Sequence, residues 1–172
     1  VGSGLAALAR AARHQVLIGT RGAPNSDRGF VPPAEMVEES DVIVIALPFD
    51  AIATALPALA PALNGKIVVD ATNPVNADWS PKLLGECNSA GEEVARLLPG
   101  AQVVKAFNTI FADMMRPEKL QGEPTRVTAA VAADDRSAAS QVASLAADMG
   151  FAPIYAGPLT SARHLEAIAH LN

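Results

Sequence analysis

The feature that most restricts this chain is an alternation. Short runs rich in β-branched residues, at 15–18, 41–46, 66–70, 102–107, 126–132 and 152–155, are separated by Ala-rich stretches. Those stretches favour helices over 5–13, 34–39, 49–63, 90–97, 136–149 and 161–171. Several runs are continuously apolar, the pattern of parallel strands covered on both faces. Strand and helix in turn at this spacing form right-handed βαβ units. The expected fold is therefore α/β, with a doubly wound and mostly parallel sheet in which the run 41–46 is an inner, parallel strand. Punctuation agrees: Asn64-Gly65 and Pro99-Gly100 close helices ahead of strands, and Ser89 with Glu92 supplies a capping box. The proline-rich piece 24–33 reads as a loop. No repeat or low-complexity linker divides the chain, so 1–172 is expected to form one domain.

Composition narrows the function classes. Half of the 172 residues are hydrophobic but only 4% are aromatic, so the core is built from Ala, Val, Leu and Ile. A net charge of −5 argues against nucleic acid as the main partner. The single cysteine, Cys87, excludes an internal disulfide and a cysteine-cluster metal site, and it suits a reducing cytoplasm. No apolar stretch nears the roughly 20 residues that cross a bilayer. No leader with a basic start is expected either. The expected partners are small-molecule cofactors, with a second copy of the chain as the candidate protein partner.

The chain opens VGSGLAALARAA and runs straight into a helix with no strand before it. A nucleotide-binding first unit has strand, glycine turn and helix, with the pyrophosphate at the helix N-terminus. Gly2 fits the third glycine of such a turn, or else is simply a small residue at a helix start. The next strand ends VLIGTR, where an NAD-binding protein places an acidic residue on the ribose. Here Thr20 and Arg21 stand instead. A carboxylate repels a 2′-phosphate, whereas a hydroxyl and a guanidinium fork bind it with charge-assisted hydrogen bonds. Arg21 is accordingly the expected reader of NADP over NAD.

The segments VGSGLA, VLIGTR, DVIVIALPFDAI, GKIVVDATNP and AGEEVARLLPGAQVVKAFNTI cover most of the chain to about residue 110. In that order they resemble the NADP-dependent reductases of the deazaflavin coenzyme F-420, whose fold is the Rossmann NAD(P)-binding domain. Similar segments occur in the reductase domain of transmembrane ferric reductases. The resemblance implies an NADP-dependent oxidoreductase with NADP and coenzyme F-420 as cofactors and no metal. It places Gly2 and Ser3 at the pyrophosphate, and Thr20 and Arg21 at the 2′-phosphate. It passes Ala46, Leu47 and Pro48 beneath the nicotinamide-side ribose and phosphates. Asn73, Pro74, Phe107 and Asn108 line the nicotinamide end. No catalytic residue is assigned, since hydride transfer between two such rings needs positioning more than acid–base help.

Three departures from the family pattern stand out. The first strand and its two glycines are missing, and an apolar strand ending in Gly-x-Gly is expected directly before Val1. Without it the apolar face of the first helix is expected to lie open. The stretch between Arg21 and Asp41 is short for a crossover, which needs about 10–12 residues with its helix. The chain also stops at AIAHLN, inside a helix. The first two departures bear on pyrophosphate binding and the third on the acceptor site. The alternative functions are reduction of a small C=O or C=N substrate, reduction of a ferric chelate, and a non-catalytic NADP-binding sensor.

Other polar residues have simpler readings. Asp70 is expected to orient the turn that follows it. Lys105 is a structural or second-shell group, His14 is structural, and His164 with His170 lack ligand spacing. Cys87 has no basic neighbour in sequence to activate it. Glu35, Glu38 and Glu39 form a solvated helix face.

Overall fold

The computed structural model describes residues 1–25, 27, 29–120 and 127–171. In chain order the elements are α1 (Gly2–Ala11), β1 (Ile18–Gly19), β2 (Phe30–Val31), α2 (Pro33–Glu39), β3 (Val42–Ile45), α3 (Phe49–Ala55) and β4 (Ile67–Asp70). There follow α4 (Ala90–Leu97), β5 (Gln102–Ala106), α5 (Pro117–Leu120), β6 (Thr128–Ala133), α6 (Arg136–Asp148), β7 (Ala152–Gly157) and α7 (Ala162–Leu171). Five strands form one sheet in the order β3-β4-β5-β6-β7, and β1 pairs with β2 in a separate two-stranded sheet. All pairings are parallel except β5 with β6.

Local chemistry explains most boundaries. The Ser89 hydroxyl accepts the Glu92 amide at 3.2 Å and donates to the Glu92 carboxylate at 2.7 Å, which starts α4. Asp135 caps α6 by accepting the Ala138 amide at 2.8 Å. Pro33 starts α2 at a position where no amide donor is needed. α3 ends at Ala55, short of the expected 63, because Pro57 and Pro61 cannot donate to a continuing helix. The strand expected at 126–132 begins at Thr128 among the described residues, and Arg126 lies outside them.

Two apolar layers sandwich the sheet, as a doubly wound fold requires. On one face, Val69, Val104, Ala129 and Val131 pack with α1 and α6 through Leu5, Leu8, Ala138 and Val142. On the other, Ile43, Ile45, Val68 and Val103 pack with α2, α3 and α4 through Val37, Ile52 and Val94.

Three expectations are corrected. The run 41–46 was expected inside the sheet, yet β3 is an edge of the five-stranded sheet among the described residues. β3 pairs with β4 alone, while β1 pairs with β2: Ile18 N–H donates to Gly29 O at 2.6 Å and Thr20 N–H to Val31 O at 2.9 Å. β2 in turn lies within the piece 24–33 that reads as a loop. The apolar face of α1 is covered, not open: Leu5 and Leu8 are buried in the cluster containing Ala106, Phe107 and Met115.

Candidate functional site

The site grows from the carboxyl ends of β3, β4 and β5. Ile45 pairs with Asp70, and Asp70 pairs with Lys105, so the three strands end in step. The residues that follow them, 46–48, 71–74 and 107–108, therefore share one edge of the sheet. That edge is where ligands bind in open α/β sheets.

α1 brings its glycine start to the same edge. A Cβ on Gly2 would lie 3.1 Å from the Ala46 Cβ, so the helix start approaches β3 closely, and a larger residue would push the two apart by a few tenths of an ångström. A Cβ on Gly4 would lie 2.8 Å from both the Cβ and the carbonyl oxygen of Met115. Val1, at the N-cap, has no side chain to satisfy the first-turn amides, and Ser3 is exposed.

Thr20 and Arg21 follow β1. The Thr20 hydroxyl accepts the Gly22 amide at 3.0 Å, a local turn that leaves Arg21 exposed. Among the described residues Arg21 makes no ion pair.

Ala46, Leu47 and Pro48 are exposed, with Leu47 an uncovered aliphatic side chain at the strand end. Asn73 and Asn108 form a reciprocal pair: Asn73 Nδ2 donates to the Asn108 carbonyl at 2.8 Å, and Asn108 Nδ2 donates to Asn73 Oδ1 at 3.0 Å. Asn108 is buried, and its Oδ1 has no hydrogen-bond partner among the described residues. The same is true of the neighbouring Thr72 hydroxyl oxygen. Pro74 is buried beside them.

Phe107 differs from the other members of this set. By strand alternation it belongs to the face of Val103 and Lys105, but its φ of +65° turns it to the opposite layer. There its ring packs on Phe151 with centroids 5.7 Å apart, and it is 1% exposed. What Phe107 gives the edge is a backbone bend, which presents Asn108. A left-handed non-glycine residue costs about 1–3 kcal/mol and persists only where its surroundings over-determine it.

Beneath the Asn pair lies a buried ionic cluster. Lys105 Nζ donates to Asp70 Oδ2 at 2.8 Å and to the Thr72 carbonyl at 2.6 Å, and it pairs with Glu166 Oε1 at 2.7 Å. Asp70 Oδ1 accepts the Thr72 amide at 2.9 Å, as the expected turn-orienting role requires. Glu166 also accepts the Ala90 and Gly91 amides at 3.0 and 3.2 Å, at the start of α4. Sequence reasoning did not single out Glu166. Its signal was its place in the stripe Ala162, Leu165, Glu166 and Ala169 of α7, otherwise apolar.

The remaining polar groups lie apart from the pair. His14 pairs with Asp148 at the surface, and Cys87 is exposed. Arg163 forks onto Glu92 at 2.8 and 2.5 Å, and that hydrogen bonding holds the Glu92 carboxyl below the usual range. No group of three or more His, Cys, Asp or Glu suited to a metal occurs among the described residues. No helix among them is long and apolar enough to cross a membrane.

Residues 1–74 match the family described as NADP oxidoreductase, coenzyme F420-dependent. The chain is 34% identical to the metalloreductase STEAP3 of Rattus norvegicus over 160 residues, covering 89% of this chain and 31% of that protein. It is 31% identical to the F420-dependent NADP reductase of Methanothermobacter marburgensis, covering 80% of this chain and 63% of that one. The chain thus spans under two thirds of the length of either relative. Among solved structures, the protein SMa0349 of Sinorhizobium meliloti superposes with a TM-score of 0.83 at 33% identity, covering 94% of this chain and 83% of that one. An Arthrobacter sp. FB24 protein assigned as an F420-dependent NADP reductase gives 0.84 at 28%, covering 99% and 86%. This strand edge and this helix start therefore belong to a chain that is similar, over residues 1–74, to the coenzyme F420-dependent NADP oxidoreductases.

Proposed function

We propose that this chain is a single NADP(H)-binding domain that passes hydride between NADPH and a deazaflavin or flavin-like acceptor. The observation that carries the reading is the shared edge: the Asn73–Asn108 pair and the exposed 46–48 segment end adjacent strands, and Gly2 abuts Ala46. The residues fit a dinucleotide. Its pyrophosphate suits the uncapped first turn at Gly2 and Ser3, and its 2′-phosphate suits Thr20 and Arg21. Asn108 Oδ1 is a buried acceptor still lacking a donor, as expected beside a polar ring substituent.

Bound, the nicotinamide supplies the hydride chemistry itself. The chain's part is to orient and to exclude water. Ala46, Leu47 and Pro48 offer an apolar floor, and the Asn pair fixes the rim. No His, Lys or Tyr is needed as a proton donor for this transfer, and Lys105 is fully engaged below the surface.

Mixing the protein with NADPH and oxidised F420, FAD or a ferric chelate, and following NADPH absorbance, tests the reading. F420-dependent oxidation is the expected result. The ferric chelate is the second acceptor to try, because the rat relative at 34% identity is a metalloreductase. Binding of NADPH without turnover on any acceptor would leave a sensor domain, and no binding would end the reading.

A further inference from the structure

Lys105 lies in β5 with its side chain completely buried, and its ammonium has three oxygen partners, two by hydrogen bond and one by ion pair. One acceptor is Asp70, the last residue of β4. The second is the Thr72 carbonyl in the loop beyond it. The third is Glu166 on α7, which in turn takes two amides at the start of α4. Stability alone does not account for such a cluster: apolar groups of similar volume in place of a buried ionic triad are often neutral or stabilising. What an apolar replacement cannot do is grip a carbonyl.

The grip has a definite target. Asp70 Oδ1 takes the Thr72 N–H and Lys105 takes the Thr72 C=O, so residue 72 is held at both of its backbone polar groups. The next residue is Asn73, which exchanges two hydrogen bonds with Asn108. Asn108 follows directly on the left-handed Phe107, two residues beyond Lys105 itself. Both halves of the rim are thus set from the same cluster.

We propose that Lys105 is a positioning residue, acting through the Thr72 carbonyl to hold the Asn73–Asn108 pair in register for the dinucleotide ring. This rests on the reading that the edge receives the nicotinamide end. It touches neither ring, so its effect falls on alignment rather than affinity. Misplacing reacting groups by about 1 Å costs on the order of a hundredfold in rate.

The test uses Asp70→Asn, Lys105→Met and Glu166→Gln together, which removes all three charges while keeping volume and leaving no buried ion unpaired. Asn at position 70 retains an acceptor for the Thr72 amide, and Gln at 166 retains one for α4. The first readout is the NMR shift that NADP+ induces in the side-chain amides of Asn73 and Asn108, beside the shifts at Thr20–Gly22. The second is the single-turnover rate of NADPH oxidation. The expected result is an unchanged melting temperature, NADP+ affinity within about threefold, altered Asn73 and Asn108 shifts, and transfer slowed about a hundredfold. Glu166→Gln alone, which leaves Lys105 on Thr72, should stay within about threefold of the parent. A parent whose Asn73 and Asn108 signals ignore NADP+ would overturn the nicotinamide reading. A triple variant with the parent's shifts and rate would overturn the positioning role alone. A triple variant that fails to fold would also overturn it, by showing that the cluster is structural.

Discussion

The two ends of the proposed dinucleotide site are built on opposite terms. At the phosphate end, Arg21 stands exposed after a two-residue strand, and the turn beneath it rests on one hydroxyl–amide contact. At the nicotinamide end, Asn108, Thr72, Asp70 and Lys105 are all buried, and two hydrogen bonds join the loops from β4 and β5. The difference follows the job. A phosphate is charged and freely rotating, so a long flexible cation finds it from solvent. A ring that exchanges hydride must meet its partner at fixed distance and angle, so its rim has to be rigid before the ligand arrives.

The largest effect should come from breaking the rigid end from within. Lys105→Met alone leaves Asp70 and Glu166 as buried carboxylates facing each other without a cation. Removing one partner of a buried ion pair costs about 3–5 kcal/mol, a large part of the stability of a domain this size. Urea denaturation should show a large drop in midpoint, or no folded protein at all. Restoring neutrality with Asp70→Asn and Glu166→Gln should recover the parent's stability. A Lys105→Met variant as stable as the parent would mean that water reaches the cluster.

At the exposed end the effect should be smaller and confined to ligand. Arg21→Ala should weaken NADPH binding by roughly ten- to a hundredfold, or about 1.5–3 kcal/mol, with NADH nearly untouched. Melting temperature should not change, since the exposed side chain makes no ion pair among the described residues. Arg21→Glu should go further, because a carboxylate repels the phosphate and accepts from a free ribose hydroxyl. Titration of both dinucleotides against the three proteins decides the matter. Equal loss for NADH and NADPH would make Arg21 a support of the loop.

The two ends also differed in how well they could be read from sequence. Local signals worked wherever one segment settles its own structure. The continuous apolar runs gave the central strands to within a residue or two, Ser89 marked the start of α4, and Asp70 oriented its turn. Long-range choices did not show. Nothing local says that β1 pairs with Phe30–Val31, since the pairing depends on a two-residue match 12 positions away. Phe107 reads as a strand-end aromatic open to a ligand, whereas its left-handed backbone sends the ring into the core. Glu166 carries no local signal of its role, because its burial depends on α7 lying against the start of α4. That placement is close at Gly91, where a Cβ would come within 3.1 Å of the Ala162 Cβ.

The smallest effect should separate the buried tie between α4 and α7 from a half-exposed one beside it. Arg163 on α7 forks onto Glu92 of α4, and their side chains are 31% and 21% exposed. The Arg163 hydrogen bond is the main reason the Glu92 carboxyl lies below its usual range, with Ser89 adding to it and burial opposing. A carboxyl whose folded value is lowered stabilises the fold fully above its unfolded value, about 4.3, and loses that contribution as pH falls through the folded value. Arg163→Met should therefore be less stable than the parent near neutral pH, by no more than about 1 kcal/mol for a pair this open to solvent. The gap should hold down to about pH 5 and shrink below about pH 4, as Glu92 takes up its proton in both proteins. Ser89 still serves Glu92 in the variant, so the acid response of the variant should be weakened rather than abolished. Urea midpoints for both proteins across this range measure it. A gap that stays constant into acid would mean that Arg163 acts through the packing of its aliphatic stem, not its charge. A gap of zero at neutral pH would leave the Glu166 contacts as the tie between α4 and α7, and would widen the contrast between buried and exposed ion pairs in this fold.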